Sequence, residues 1–328
     1  MRLAEYSQTK LALGGDITLA IVSKLTASEV DSIFNELWYQ VFSFERRFSR
    51  FIPKSELSIF NRLAGLKTQV SDEFREILLV SKSLGEKSGG LYNPFITPAL
   101  QKAGYKNSAL KGYETDNQVD YTNRRVVGID GLVIGDNWAS IPFGTAIDLG
   151  GCGKGYLADE LAGTLDLYDI QSYWLSLGGD IVTKGYDENG DGISVGVQDA
   201  NKLGSRLDHV INCPSNYFAI ATSGTFRRKG QNDMKSWHHI INPDTLLPAD
   251  TDIKLVTVCT RSGVEADVLA SCAIILGSKL APVFLKKHGV NSAIIQYVAA
   301  DGNLQIESFG EMIQKQIPTV NKEAIQYA

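Results

Sequence analysis

The run ITLAIVSK, Ile17 to Lys24, is almost continuously apolar and predicts a strand. SEVDSIFNELWYQVFSFERRF then carries apolar residues at helical spacing, with Ser28 as the expected N-cap. DEFREILLVSKSLGEKSGG predicts a second helix, stopped by Gly89 and Gly90. Between the two, SRFIPKSELSIFNRL reads as a loop with a short helix starting near Ser55. From residue 120 onward strand patterns dominate: RRVVGIDGLVIG, IPFGTAIDLG, SYWLSLGGDIVTKG, ISVGVQD, YFAIATSG, KLVTVCT and SAIIQYV. Helices are expected after Lys154, after Glu265 and near PVFLKKHG. Strands arriving in runs with helices toward both ends predict an α+β fold rather than a regular βαβ array. No Pro/Ser linker divides the chain, so residues 1–328 are read as a single domain with two lobes.

Composition narrows the function classes. The chain has 328 residues and a net charge of -5, which gives no reason to expect nucleic acid or an anionic membrane as a partner. Its four cysteines are far apart with no CxxC pair, so neither a zinc site nor a disulfide framework is expected. No run approaches the roughly 18 apolar residues needed for a membrane span. The first residues lack the apolar core of a signal peptide, so a cytoplasmic location is expected, or a periplasmic one where a leader has been removed.

Five stretches carry candidate chemistry. In AIDLGGCGKGYLADELA, glycines and Lys154 sit where an extended segment hands over to the helical pattern YLADELAGTL, leaving N–H groups that can hold an anion. In EADVLASCAIILG, Asp267 and Ser271 are four residues apart on one face of a buried helix, an arrangement suited to a hard cation such as Mg2+. The alternative is that Asp267 caps its own helix and Ser271 bonds back to a carbonyl. SWHHIINPDTLLPA has adjacent histidines on a strand pattern, so one points inward, as a general base or a structural residue. IATSGTFRR ends a strand with Thr222, Ser223 and Gly224, and Arg227 or Arg228 could pair with phosphate; a surface turn is the alternative. DENGDG mimics half of an EF-hand, but Gln198 stands at the twelfth position and strands flank it, so a hairpin turn is expected and calcium is not.

Taken in order, SRFIPKSELSIFN, GGLYNPFITPALQKAGY, AIDLGGCGKGYLADEL, LSLGGDI, AIATSGT, HHIINPDTLLPA and ADVLAS resemble the ApbE family, the FAD:protein FMN transferases, from about Leu13 to Gly277. The resemblance implies ApbE-like (T-fold-like) sheets with flanking helices, two lobes around a flavin cleft, and transfer of FMN from FAD to a threonine hydroxyl of an acceptor protein with release of AMP. It implies Mg2+ held by Asp267, Ser271 and the Gly153 carbonyl, with Lys154 near the pyrophosphate. FAD, the substrate, would be enclosed by Leu13, Phe51, Leu91, Tyr92, Asn93, Gly150, Tyr156 and Ile241, with Thr222 and Ser223 nearby. His239 matches the family's base. The alternatives are an FAD pyrophosphatase giving FMN and AMP, and a non-catalytic FAD-binding protein. This chain departs from the usual HIIDPxTG and FDxTVGP patterns: Asn242 and Asn93 replace aspartates, Leu246 a glycine and Phe95 a threonine. Each Asn keeps hydrogen-bonding capacity and removes a charge.

Overall fold

The computed structural model describes residues 3–105, 126–201, 206–226, 229–232 and 235–315. Its frame is one eight-stranded sheet whose order follows the chain: β1 (Ala4–Ala12), β2 (Gly15–Ser23), β3 (Ser172–Leu177), β4 (Asp180–Lys184), β5 (Phe218–Gly224), β6 (Ile253–Thr260), β7 (Ser292–Val298) and β8 (Leu304–Phe309). Every neighbouring pair is antiparallel. The helices are insertions in this meander. Between β2 and β3 come α1 (Ala27–Phe48), α2 (Glu56–Arg62), α3 (Asp72–Lys87), α4 (Thr97–Ala103) and α5 (Gly153–Leu167); α6 (Gly263–Leu276) and α7 (Ala281–Lys287) lie between β6 and β7. This is an α+β architecture.

Period-2 alternation decides which face each strand residue serves. On β5, Ala219 and Ala221 join the core shared with α1, α3, α5 and α6, while Ile220 points to the opposite face. There it meets Ile181, Cys259 and Ile294, together with Val195, Val197 and Ile211 of a small three-stranded sheet (Ser194–Gln198, Arg206–Asn212, Ile313–Lys315). A further core under β6 and β7 holds Val256, Val258, Leu269, Ala273 and Leu285. So the large sheet has helices on one face and a small sheet on the other.

Several local expectations are corrected. α1 starts earlier than Ser28: Thr26 is its N-cap, in a capping box with Glu29. The segment IPFGTAIDL is not a strand. Phe143 is exposed in a turn with Gly144, and in the buried stretch 145–149 Ile147 exchanges both backbone hydrogen bonds with the Asn61 side chain (2.9 Å each), while the Asp148 N–H donates to the Pro94 carbonyl (2.8 Å). Its polar groups are satisfied without a ladder, leaving the chain free to turn at Gly150. The pattern RRVVGIDGLVIG yields only a 3-10 turn, Ile129–Gly131, and a short strand, Val133–Ile134; residues 124 and 125 lie outside the described residues. The polar β1, AEYSQTKLA, carries no strong strand pattern and forms an edge of the sheet. DENGDG is a turn, as expected: Asp187 Oδ1 accepts the N–H groups of Asn189 and Asp191, both at 2.8 Å, and Gly190 takes φ +83°.

Candidate active site

The site is built on the crossing of α5 and α6. Gly155 and Gly263 face each other so closely that a Cβ on Gly155 would lie 2.3 Å from the Gly263 carbonyl oxygen. Each helix then caps the other. Asp267 of α6 accepts the Gly155 N–H at the start of α5 (3.4 Å), where Cys152 offers no side-chain cap. Asp159 of α5 accepts the N–H groups of Gly263 (2.6 Å) and Val264 (3.1 Å) and the Ser262 hydroxyl (3.0 Å) at the start of α6. Asp267 therefore does not cap its own helix; Ser262 does. Nor does the Ser271 hydroxyl bond back to a carbonyl: it pairs with the Ser223 hydroxyl of β5 at 2.9 Å.

Beside this crossing opens a cleft of about 810 Å³, within the range of small-molecule sites. Its wall brings together Leu13, Phe51, Leu91, Tyr92, Asn93, Gly150, Gly153, Lys154, Thr222, Ser223, His239, Ile241, Asp267 and Ser271. Fourteen of the fifteen residues singled out from the sequence thus share one cavity. Tyr156 is the exception. It lies two residues beyond Lys154, about 200° around the helix, and its ring stacks behind the lining residue Phe44. Of the two histidines, His239 faces the cleft, its ring 6.3 Å from that of Tyr105, while the His238 Nε2 lies 3.0 Å from the Ala249 carbonyl. Arg227 and Arg228 lie outside the described residues.

The polar floor contains two residues absent from the expected set. Asp180, in the LSLGGDI turn, forms an ion pair with Lys154, whose ammonium lies 3.5 Å from Asp267 on its other side. Arg50 is ion-paired with Asp148, lies over the rings of Phe51 (4.2 Å) and Tyr105 (4.8 Å), and donates to the Tyr105 carbonyl (2.9 Å). It ties the end of α1, the end of α4 and the glycine loop together. Both residues lie inside motifs that carry the resemblance, Arg50 in SRFIPKSELSIFN and Asp180 in LSLGGDI, but nothing in either motif points to the ion pair each residue makes. Asp180 and Asp267 are 5% and 4% exposed. Burial raises the Asp267 carboxyl to about 6, the Lys154 ammonium opposing and Asp180 adding to the rise.

These groups suit a hard cation. Two buried carboxylates share one ammonium, so negative charge is left over, and Ser271 adds a hydroxyl oxygen within the same wall. Among the described residues no group of three His, Cys, Asp or Glu side chains forms a metal cluster. A cation here would rely on one carboxylate with hydroxyl and backbone oxygens, donors that magnesium accepts.

A helix-covered antiparallel sheet with a glycine loop, a buried acid and a histidine around one large cleft has the form of an enzyme active site. The chain belongs to the ApbE family, whose model matches residues 13–295. A relative from Treponema pallidum, named FAD:protein FMN transferase, is 28% identical over 313 residues, covering 90% of this chain and 85% of that protein. One of the same name from Haemophilus influenzae is 23% identical, covering 89% and 84%. The flavin transferase ApbE from Vibrio cholerae superimposes with a TM-score of 0.77 at 22% identity, over 94% of this chain and 97% of that one. The Pseudomonas stutzeri flavinyl transferase ApbE gives 0.79 at 20%, over 94% and 96%. No helix among the described residues is long and apolar enough to cross a membrane.

Proposed function

We propose that this protein is an FAD:protein FMN transferase that moves FMN from FAD onto a threonine hydroxyl of an acceptor protein, with Mg2+ held by Asp267, Ser271 and the Gly153 carbonyl. The activity is that of the named relatives. The observation that carries it for this chain is the convergence of Lys154, His239, Asp267 and Ser271 on one cleft from three separate segments of the chain.

In this reaction the threonine oxygen forms a bond to the FMN-side phosphorus, the phosphoanhydride bond breaks, and AMP departs. When bound, the cation supplies Lewis-acid neutralisation of charge on the pyrophosphate oxygens. The chain's own residues do the rest. Lys154, in the first turn of α5, offers a positive pole to the phosphates. His239, on the cleft wall, takes the proton of the attacking hydroxyl. The rings of Phe51 and Tyr92 with Leu91 and Ile241 give an apolar wall for the flavin and keep water from the reacting phosphorus.

The test is FMN transfer to an acceptor protein carrying the flavinylation threonine, followed by in-gel flavin fluorescence. Asp267→Ala should abolish Mg2+-dependent transfer, and His239→Ala should slow it by roughly 10²–10⁴ with FAD still bound. Full-rate transfer by Asp267→Ala would remove the metal assignment, and by His239→Ala the base. Release of FMN and AMP without acceptor would mark the protein as a hydrolase instead.

A further inference from the structure

The Lys154 ammonium stands between two buried carboxylates, Asp180 and Asp267, on the cleft floor. The two acids differ in how they are fixed. Asp180 follows the tight β3–β4 turn, where Gly178 and Gly179 take φ of +68° and +106°, conformations that disfavour other residues. Its Oδ1 accepts the Thr222 N–H from β5 at 3.2 Å, leaving Oδ2 aimed at Lys154. Asp267 already serves the Gly155 N–H with the same oxygen that faces the lysine. The lysine stem runs past Gly178, where an added Cβ would lie in ordinary contact with it at 3.8 Å.

We propose that Asp180 is a positioning residue: it anchors Lys154 on the β4–β5 side of the cleft floor, so that the lysine and a cation at Asp267 do not compete for one carboxylate. The inference rests on the metal assignment made above. Without the Asp180 charge, the ammonium is drawn to Asp267, the buried acid already 3.5 Å from it. A lysine held there blocks the acid and points away from the phosphates. With Asp180 in place, one acid serves the lysine and the other the cation, and both positive charges face the same pyrophosphate. A flexible, compact ammonium needs such an anchor, since lysine has no fork geometry to fix its own direction.

The test uses the full chain with Asp180→Asn, which keeps the shape and the acceptor for Thr222, together with Lys154→Met and the double variant. Mg2+ binding is read by titration calorimetry without FAD, and kcat with Mg2+ and FAD saturating. Asp180→Asn should weaken Mg2+ about tenfold, the size of one charge-assisted contact. Lys154→Met should tighten it, which tests the competition even if the Asn variant folds poorly. In kcat, Asp180→Asn should cost about 10–100-fold alone and almost nothing further in the Lys154→Met background, because it acts through the lysine. Additive losses in kcat, unchanged Mg2+ affinity in Asp180→Asn, or weaker affinity in Lys154→Met would each overturn the proposal. Asp267→Asn separates the two readings: loss of Mg2+ binding there upholds the metal site whatever Asp180 does, and retention at the wild-type level refutes the metal assignment itself.

Discussion

The departures from family pattern acquire physical reasons at single residues. Asn93 donates its Nδ2 to the Val127 carbonyl at 2.8 Å and accepts the Phe95 N–H at 2.9 Å. An aspartate could make only the second bond, so the amide is what closes this loop over the cleft. Asn242 accepts the Asp244 N–H at 2.9 Å, a role an aspartate fills equally well. Leu246 is the costly substitution: it holds φ +55° where the family has glycine. Its half-buried side chain offsets that by packing on Ala99, Leu100 and Ile241. Truncation therefore separates strain from packing. Leu246→Ala loses the packing and keeps the left-handed backbone, whereas Leu246→Gly loses the packing and relieves the strain. Glycine should be the more stable variant by about 1 kcal/mol, read from urea midpoints. Equal midpoints would show that the backbone is not strained there. Leu13 takes a similar conformation, φ +54°, in the β1–β2 turn at the cleft edge, where its N–H bonds the buried Glu45 carboxylate at 2.8 Å.

At the scale of elements, the α5–α6 crossing decides the geometry of the site. Gly155 and Gly163 lie on one helix but have opposite surroundings. A Cβ at 155 would collide with the Gly263 backbone at 2.3 Å, while one at 163 would meet nothing within 4 Å. Gly155→Ala should destabilise the fold by about 3 kcal/mol, the upper range for overpacking against rigid backbone, and weaken Mg2+ binding as Asp267 is pushed from its place. Gly163→Ala should stabilise by about 0.5–1 kcal/mol, the helix-propensity gain alone. Chemical denaturation of both variants checks the pair; a mild Gly155→Ala would mean the helices can part without loss. α1 and α3 are legible because burial on one face imposes the 3.6 period, whereas α6 is buried nearly all round. Edge strands are not legible: β1 and β8 show no continuous buried pattern, since the outer edge of a sheet has less to cover. IPFGTAIDL differs for the opposite reason: its second half, 145–149, is as buried as a strand while its hydrogen bonds go to Asn61 and Pro94. Asp180 and Arg50 escaped because their partners, 26 and 98 residues distant, are set by the sheet and the helix crossing rather than by any local motif.

On the scale of the whole molecule, the cleft is walled by the β1–β2 turn, the ends of α1 and α4, the glycine loop, β5 and α6. These segments draw on two cores: Leu13, Leu91 and Tyr92 pack with the first, Ile240 and Ile275 with the second, and the Asp267 helix contributes to both. A ligand filling the cleft touches both and so stabilises the native state against unfolding of either. Linkage sets the size: ligand at a hundred times its dissociation constant adds about 2.7 kcal/mol. FAD should therefore raise the melting temperature, and under the proposed function Mg2+ should raise it further, since Asp267 and Ser271 would hold the cation in the same cleft. In Asp267→Asn the FAD increment should persist and the Mg2+ increment should vanish, since flavin contacts on the opposite wall do not depend on that acid. Thermal melts with FAD, Mg2+ and both, on wild type and variant, measure the two increments separately. If Asp267→Asn loses both together, the two walls act as one cooperative site and the flavin contacts depend on the metal. If the Mg2+ increment survives in the variant, the cation sits elsewhere in the cleft.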